Sequence, residues 1–301
     1  MKSKKLKVVV SALLVTLVAG AFVGCGSSNN NTASNDTKKA ETTAVSGSIT
    51  VAGSTALQPL AEQAVEGFKK KNPDASVTVQ GGGSGTGLTQ VSQGAIDIGN
   101  SDVTAESKLK DQAKQLQDHK VCVIGFAMVT SKDVTVKSLT KEQIQKIFTG
   151  EVTNWKDVGG NDLPINVINR PASSGTRATF ISTVMGSKTE KEGLGTTQDS
   201  SGAVKTAMMN TKGAISYLAM SYLTSDVVKD INVLQLDSVE ANKANITSGK
   251  YGFCSYEHMY TKGEAKDVSK AFIDYIMSAD NKALVEKLGY IPMADMKVEL
   301  K

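Results

Sequence analysis

The chain has 301 residues, 40% of them hydrophobic and 21% charged, which is enough to bury a core in two lobes. Its formal charge of +4 comes from residues 1–24, which hold four lysines and no acid; the remainder sets 30 basic side chains against 30 acidic ones. A neutral body with one tryptophan and no basic, aromatic-laced cluster excludes electrostatic binding of nucleic acid. The two histidines, His119 and His258, stand apart and no cysteine lies in a CxxC, which speaks against a metal centre.

Taken in order, the chain opens with Lys2, Lys4, Lys5 and Lys7, then the apolar run Val8–Val23, then Gly24 and Cys25. Roughly 20 apolar residues are needed to cross a bilayer, so this run reads as a signal segment over residues 1–24. Residues 25–46 are polar, rich in Ser, Asn, Thr and Lys, and read as a flexible tether. Ser48–Ala52 predicts a short strand, and Thr55 with Gln58 a capping box before a helix bearing Leu57, Leu60, Ala61, Ala64, Val65 and Phe68 on one face. Val77–Gln80 and Ile96–Ile98 predict further strands, with a short helix over Leu88–Gln93 between them. Lys108–Asp118 reads as a polar surface helix and Val121–Thr130 as a long strand. A second strand and helix series follows: a helix capped by Thr140 and Gln143, a strand at Ile165–Asn169, helices to Met185 and over Ala203–Asn210, and strands at GAISYL and Ile231–Leu236. Tyr251–Tyr260 predicts another long strand and two helices close the chain, the last stopped by Gly289. Repeated strand, polar turn and helix make the fold α/β with mostly parallel sheets, in which ligands gather at the carboxyl ends of strands.

Four turns repeat one device. Ala52–Pro59 (AGSTALQP), Gly81–Gly87 (GGGSGTG), Gly99–Asp102 (GNSD) and Arg170–Arg177 (RPASSGTR) each put small hydroxyl residues where a strand empties toward a helix. Free N–H groups at a helix start make an anion site. Read singly, Ser54 and Thr55 are as well explained as a helix cap, the glycine run as a flexible turn and Asp102 as a cap of its own. Arg177 reads as a surface charge or salt-bridge partner and Trp155 as packing. A serine hydrolase built on Ser84 or Ser174 is disfavoured, because neither sits in GxSxG and bases are few. Cys122 and Cys254 each lie in a strand-like run; they form a disulfide if those strands are suitably placed, and are otherwise two buried thiols.

The ordered set GSTAL, GGGSGTGL, SD after DIGN, IFTGEVTNW, Arg170 with SGT, and GAISY, behind a signal ending in Gly-Cys, resembles the phosphate-binding proteins of bacterial phosphate ABC importers over roughly residues 47–295. The resemblance implies a two-lobed type II periplasmic-binding-protein fold, with residues 47–124 and 252–301 in one lobe and 125–251 in the other, joined by two hinge strands. It implies a monomer without a cofactor that closes on inorganic phosphate and hands it to a permease and its ATPase, and a lipid on Cys25 that anchors it to the membrane. Carried over by motif, the phosphate contacts are Ser54, Thr55, Ser84, Asp102, Arg170, Ser174, Gly175 and Thr176. The chain departs from the family pattern at Phe22 and Val23 in the signal, at Pro171, and at Ala172, where an acid often stands beside the arginine. Sulfate or molybdate is the alternative ligand. Asp102 disfavours both, because it accepts the proton that phosphate keeps and sulfate lacks.

Overall fold

Strand β1 (Gly47–Gly53) lies between β2 (Ala75–Gly82) and β3 (Ile98–Ser101) and is parallel to both, with Val51 opposite Val79 on one side and Ile98 on the other. The computed structural model describes residues 44–300 except Ser187; the signal segment, Cys25 and most of the tether lie outside the described residues. The parallel trio is linked by helices α1 (Gln58–Lys71) and α2 (Ser84–Gln93), as parallel neighbours require. Helix α1 buries Leu60, Ala61, Ala64 and Phe68, the helical stripe expected from the sequence. Helix α2 starts four positions earlier than its apolar spacing predicts, inside the glycine run.

The polar segment after Asp102 differs from expectation. Helix α3 covers only Ala105–Leu109 and is followed by a 3₁₀ turn over Lys110–Gln115, after which β4 (Leu116–Ser131) begins. Lys110 has a φ of 51°, which no continuous α-helix accommodates. Beyond β4 come β5 (Ser138–Leu139), α4 (Lys141–Phe148), β6 (Asn166–Asn169) and α5 (Gly175–Phe180), which runs on as a π turn over Ile181–Met185. Then follow β7 (Thr196–Thr197), α6 (Ser201–Asn210), β8 (Ala214–Ala219), β9 (Ile231–Val233), β10 (Gln235–Leu236) and α7 (Lys243–Thr247). The chain closes with β11 (Cys254–Lys262), α8 (Asp267–Met277), α9 (Lys282–Lys287) and β12 (Tyr290–Ile291). The capping box at α4 forms as read: Gln143 N donates to Thr140 Oγ1 at 3.2 Å and Thr140 N to Gln143 Oε1 at 2.9 Å.

The strands run in the order β2, β1, β3, β11, β4, β8, β6, β7, with β9 and β12 also paired to β4. Pairing is parallel within β2, β1 and β3 and again within β8, β6 and β7, but antiparallel where β11 and β4 join the two groups. The two expected sheets therefore share a strand. Residues Leu116–Gly125 of β4 pair with β11, and Phe126–Thr130 pair with β8, so the changeover falls at Gly125 and Phe126. There Phe126 N donates to Phe253 O at 2.9 Å, where the chain returns toward β11. Val121–Ser131 is buried throughout because both faces of this strand are covered. On one side of the changeover Phe68 meets the edge of Phe272 at 5.3 Å; on the other Phe148, Phe180, Tyr217 and Phe253 pack together, Phe180 stacked on Tyr217 at 4.3 Å. Each such ring contributes about 1.5–3 kcal/mol on burial.

The strands carrying Cys122 and Cys254 are neighbours, yet both thiols are free and buried. Cys122 stands opposite Glu257, and Cys254 opposite Gly125. An offset of three residues is about 10 Å along a strand and, being odd, turns the two side chains to opposite faces. No disulfide closes without a register shift.

Candidate functional site

Four strands release their chains at one place. Ser54 and Thr55 follow β1, Ser84 follows β2, Asp102 follows β3 and Arg170 follows β6, and the starts of α2, α5 and α6 point into the same region. Ser54, Thr55, Ser84, Asp102, Arg170, Ser174 and Thr176 are each at most 3% exposed. All eight residues named from the sequence thus gather at this junction.

The carboxylate of Asp102 is oriented by three hydroxyls. Ser54 Oγ and Ser84 Oγ donate to Oδ1, the latter at 3.3 Å, and Thr176 Oγ1 donates to Oδ2 at 2.9 Å. Asp102 N donates in turn to Ser84 Oγ at 3.0 Å. Thr176 comes from the opposite side of the sheet changeover from the two serines, so this carboxylate ties the halves together. Gly175 allows that approach: a Cβ there would lie 2.1 Å from Ser84 Oγ and 2.9 Å from Asp102 Cβ. The glycine run serves the same closeness. Gly85 N donates to Ser173 O at 2.9 Å, and a Cβ on Gly83, whose φ is +86°, would meet the same oxygen at 2.8 Å.

Ser54, not Thr55, caps the turn that leads into α1, and α1 itself has no side-chain cap. Ser54 Oγ accepts from Ala56 N and Leu57 N at 3.0 and 3.1 Å, while Gln58 turns away to Glu62. The expected Thr55 and Gln58 capping box is absent because Thr55 Oγ1 is held from across the site, by Ser201 Oγ at 3.0 Å, Ser201 N at 3.2 Å and Arg170 Nη2 at 3.4 Å. Ser201 opens α6 in the segment Asp199–Gly202 and is fully buried. It is not among the eight contacts expected from the sequence, although its DSSG is a fifth copy of the small-hydroxyl turn. Ser174 Oγ accepts from Arg177 N at 3.2 Å as the cap of α5.

Arg170 is steadied without the neighbouring acid common in the family pattern. Its Nη2 donates to the backbone oxygen of Asp199 at 3.3 Å as well as to Thr55. Its Nε and Nη1 are buried and have no partner among the described residues. Burial pushes its pKa down, against the opposing pull of Tyr217 and Asp102. At Ala172 the neighbour is a cation: Lys108 Nζ donates to Ala172 O at 3.3 Å, and burial, then Arg177, pulls the lysine below its usual range. Arg177 is a salt-bridge residue, with Nε and Nη2 at 2.7 and 2.6 Å from Glu190 Oε2. Trp155 is packing, its Nε1 donating to Gly213 O at 3.0 Å.

The site combines one desolvated guanidinium with donors to spare, helix starts, and one carboxylate already pinned as an acceptor. That set suits a small anion which still carries a proton.

Residues 38–280 match the model of a PBP superfamily domain. The phosphate-binding protein PstS of Bacillus subtilis is 47% identical over 300 residues, 99% of this chain and 97% of that protein. The chain belongs to the phosphate-binding-protein family. Its fold is that family's type II periplasmic-binding-protein fold. A Clostridium perfringens structure of a candidate phosphate ABC transporter substrate-binding protein with bound phosphate matches with a TM-score of 0.75 and 34% identity, over 82% of this chain and all of that one (100%). An ABC-type phosphate transport receptor from Vibrio cholerae matches at 0.65 and 28% identity, over 81% and 99%.

Proposed function

We propose that this protein binds one inorganic phosphate ion between its two halves, through Ser54, Thr55, Ser84, Asp102, Arg170, Ser174, Gly175 and Thr176 together with Ser201, and delivers it to an ABC importer permease. The observation that carries the reading is the pairing of Arg170, buried with two unserved N–H positions, and Asp102, a buried carboxylate held by three hydroxyls in the same site. The guanidinium requires an anion, and the carboxylate requires that the anion bring a proton. Residues 47–124 with 252–301 form one lobe and 125–251 the other, a division supported by the changeover at Gly125 and Phe126. A lipid on Cys25 holds the protein at the outer face of the membrane.

The protein is a receptor and not an enzyme. Ser84 Oγ is bound to Asp102 and Ser174 Oγ to a backbone amide, while the two histidines sit on β4 and β11 beside Thr261 and Asp118. Among the described residues neither serine has a histidine in reach, and the one carboxylate on Ser84, Asp102, is shared with the hydroxyls of Ser54 and Thr176, not an arrangement that frees a nucleophile.

Calorimetric titration of the purified protein with phosphate, sulfate and molybdate tests the reading. Phosphate is expected to bind at least about tenfold more tightly than sulfate, the size of one mismatched buried acceptor; tighter sulfate binding defeats it. Ser201→Ala removes one hydroxyl and its contact with Thr55 Oγ1 while keeping the backbone N–H bond to the same oxygen, and is expected to weaken phosphate about fivefold, equivalent to about 1 kcal/mol. Unchanged affinity in the same titration removes Ser201 from the site.

A further inference from the structure

Glu257 is unlike every other acid among the described residues: it is 0% exposed and neither carboxyl oxygen has a hydrogen-bond partner. It lies on β11 opposite Cys122 of β4, just before a bulge in the pairing at Glu257 and His258. The ionisable groups that face it are Asp102 from the loop after β3, the Cys122 thiol from β4 and the Tyr290 phenol from β12. Tyr290 spends its hydroxyl on Ala56 O, and His258, next in the chain, turns to Asp118. No cation is among these neighbours.

A bare carboxylate in that position would be buried without a donor and would face a second carboxylate. Both conditions favour the protonated form. A protonated carboxyl instead has one O–H to give, and Asp102 is the acceptor it faces.

We infer that Glu257 keeps its proton in the folded protein and donates it to Asp102 from behind, so that the two carboxyls share a single negative charge beside the ligand. Glu257 is thus a positioning residue that acts through Asp102. With hydroxyls from Ser54, Ser84 and Thr176 already on it, a fourth donor fixes the aim of the Asp102 carboxyl. This rests on the phosphate reading only for its effect on affinity; the proton on Glu257 does not depend on the ligand.

Burial first, and then the charge of Asp102, holds the Glu257 pKa well above the usual carboxylate range. The folded chain therefore keeps a proton that the unfolded chain releases near its ordinary pKa of about 4.3. Stability from this group is complete below that value and declines as pH rises toward the folded pKa.

The test compares the native protein with Glu257→Gln, whose amide keeps a donor and the shape but cannot ionise. Infrared spectra at neutral pH should show a protonated-carboxyl band in the native protein that the variant lacks. Without phosphate, melting temperature should fall with rising pH more steeply in the native protein, so that the variant's advantage grows toward alkaline pH. Phosphate affinity at neutral pH should stay within about threefold for Glu257→Gln and drop about tenfold for Glu257→Met, which loses the donor. Parallel melting curves, or no band difference, overturn the inference. Should the variants not fold, a native spectrum without any protonated-carboxyl band at neutral pH overturns it alone. The infrared and melting measurements use no phosphate, so failure of the ligand assignment would show up separately in the titrations.

Discussion

Replacing Arg170 by alanine is expected to weaken phosphate binding by on the order of 100-fold, about 3 kcal/mol, the worth of two charge-assisted hydrogen bonds. The geometry argues for a loss this large. Arg170 is the one cation among the proposed contacts, it is 2% exposed, and its Nε and Nη1 serve no described protein group. Its contacts through Nη2, to Asp199 O and Thr55 Oγ1, fix the plane of the guanidinium and leave Nε and Nη1, on either side of that nitrogen, to donate to an anion. Arg170→Lys should recover only part of the affinity, since an ammonium keeps the charge but loses the planar fork.

Stability should move the other way. A desolvated guanidinium without a counter-charge in contact costs the folded state, so Arg170→Ala should melt no lower than the native protein when phosphate is absent. Added phosphate should raise the native melting temperature and leave that of the variant nearly unmoved. A variant that melts much lower yet binds phosphate with native affinity would show that Arg170 holds the fold and not the ion.

Much of this site is legible in the chain because its chemistry is local. A strand that ends in Gly-Ser-Thr, or a glycine run with one serine, declares a turn or helix start with free amides; Ser84 and Ser174 stand at helix starts and Ser54 at the turn before one. What escapes is what only the tertiary fold decides. Thr55 has the spacing of a capping residue, but Ser201 and Arg170, more than 100 positions away, capture its hydroxyl, and Ser54 caps only the turn before the helix. Cys122 and Cys254 lie in strands that do pair, and strand parity, which composition does not encode, keeps them apart. Lys108–Asp118 is polar enough to pass for a surface helix, while the positive φ at Lys110 divides it, a 3₁₀ turn follows and only Leu116 onward joins β4. Glu257 is visible in sequence only as an acid in an apolar run; the pairing of β11 with β3, His258 opposite Ser101, sets it beside Asp102.

Asp102→Asn is expected to shrink the preference for phosphate over sulfate by about 10-fold or more, on the scale of a buried unpaired acceptor at roughly 1–3 kcal/mol. In the native site both oxygens of Asp102 accept from hydroxyls, and the group has no proton to give while Glu257 keeps its own. Phosphate near neutral pH still bears at least one proton and can direct it at this carboxylate. Sulfate bears none and would set its lone pairs against those of Asp102, in a site too buried for water to intervene. The asparagine amide reverses that preference, because its NH₂ donates to sulfate while its oxygen still accepts from phosphate. The change should therefore come mainly from tighter sulfate binding, with phosphate losing less. Titration of both anions against the native and variant proteins separates the two contributions. If sulfate gains nothing and phosphate alone weakens, Asp102 acts as a scaffold for Ser54, Ser84 and Thr176, and discrimination between the anions lies elsewhere in the site.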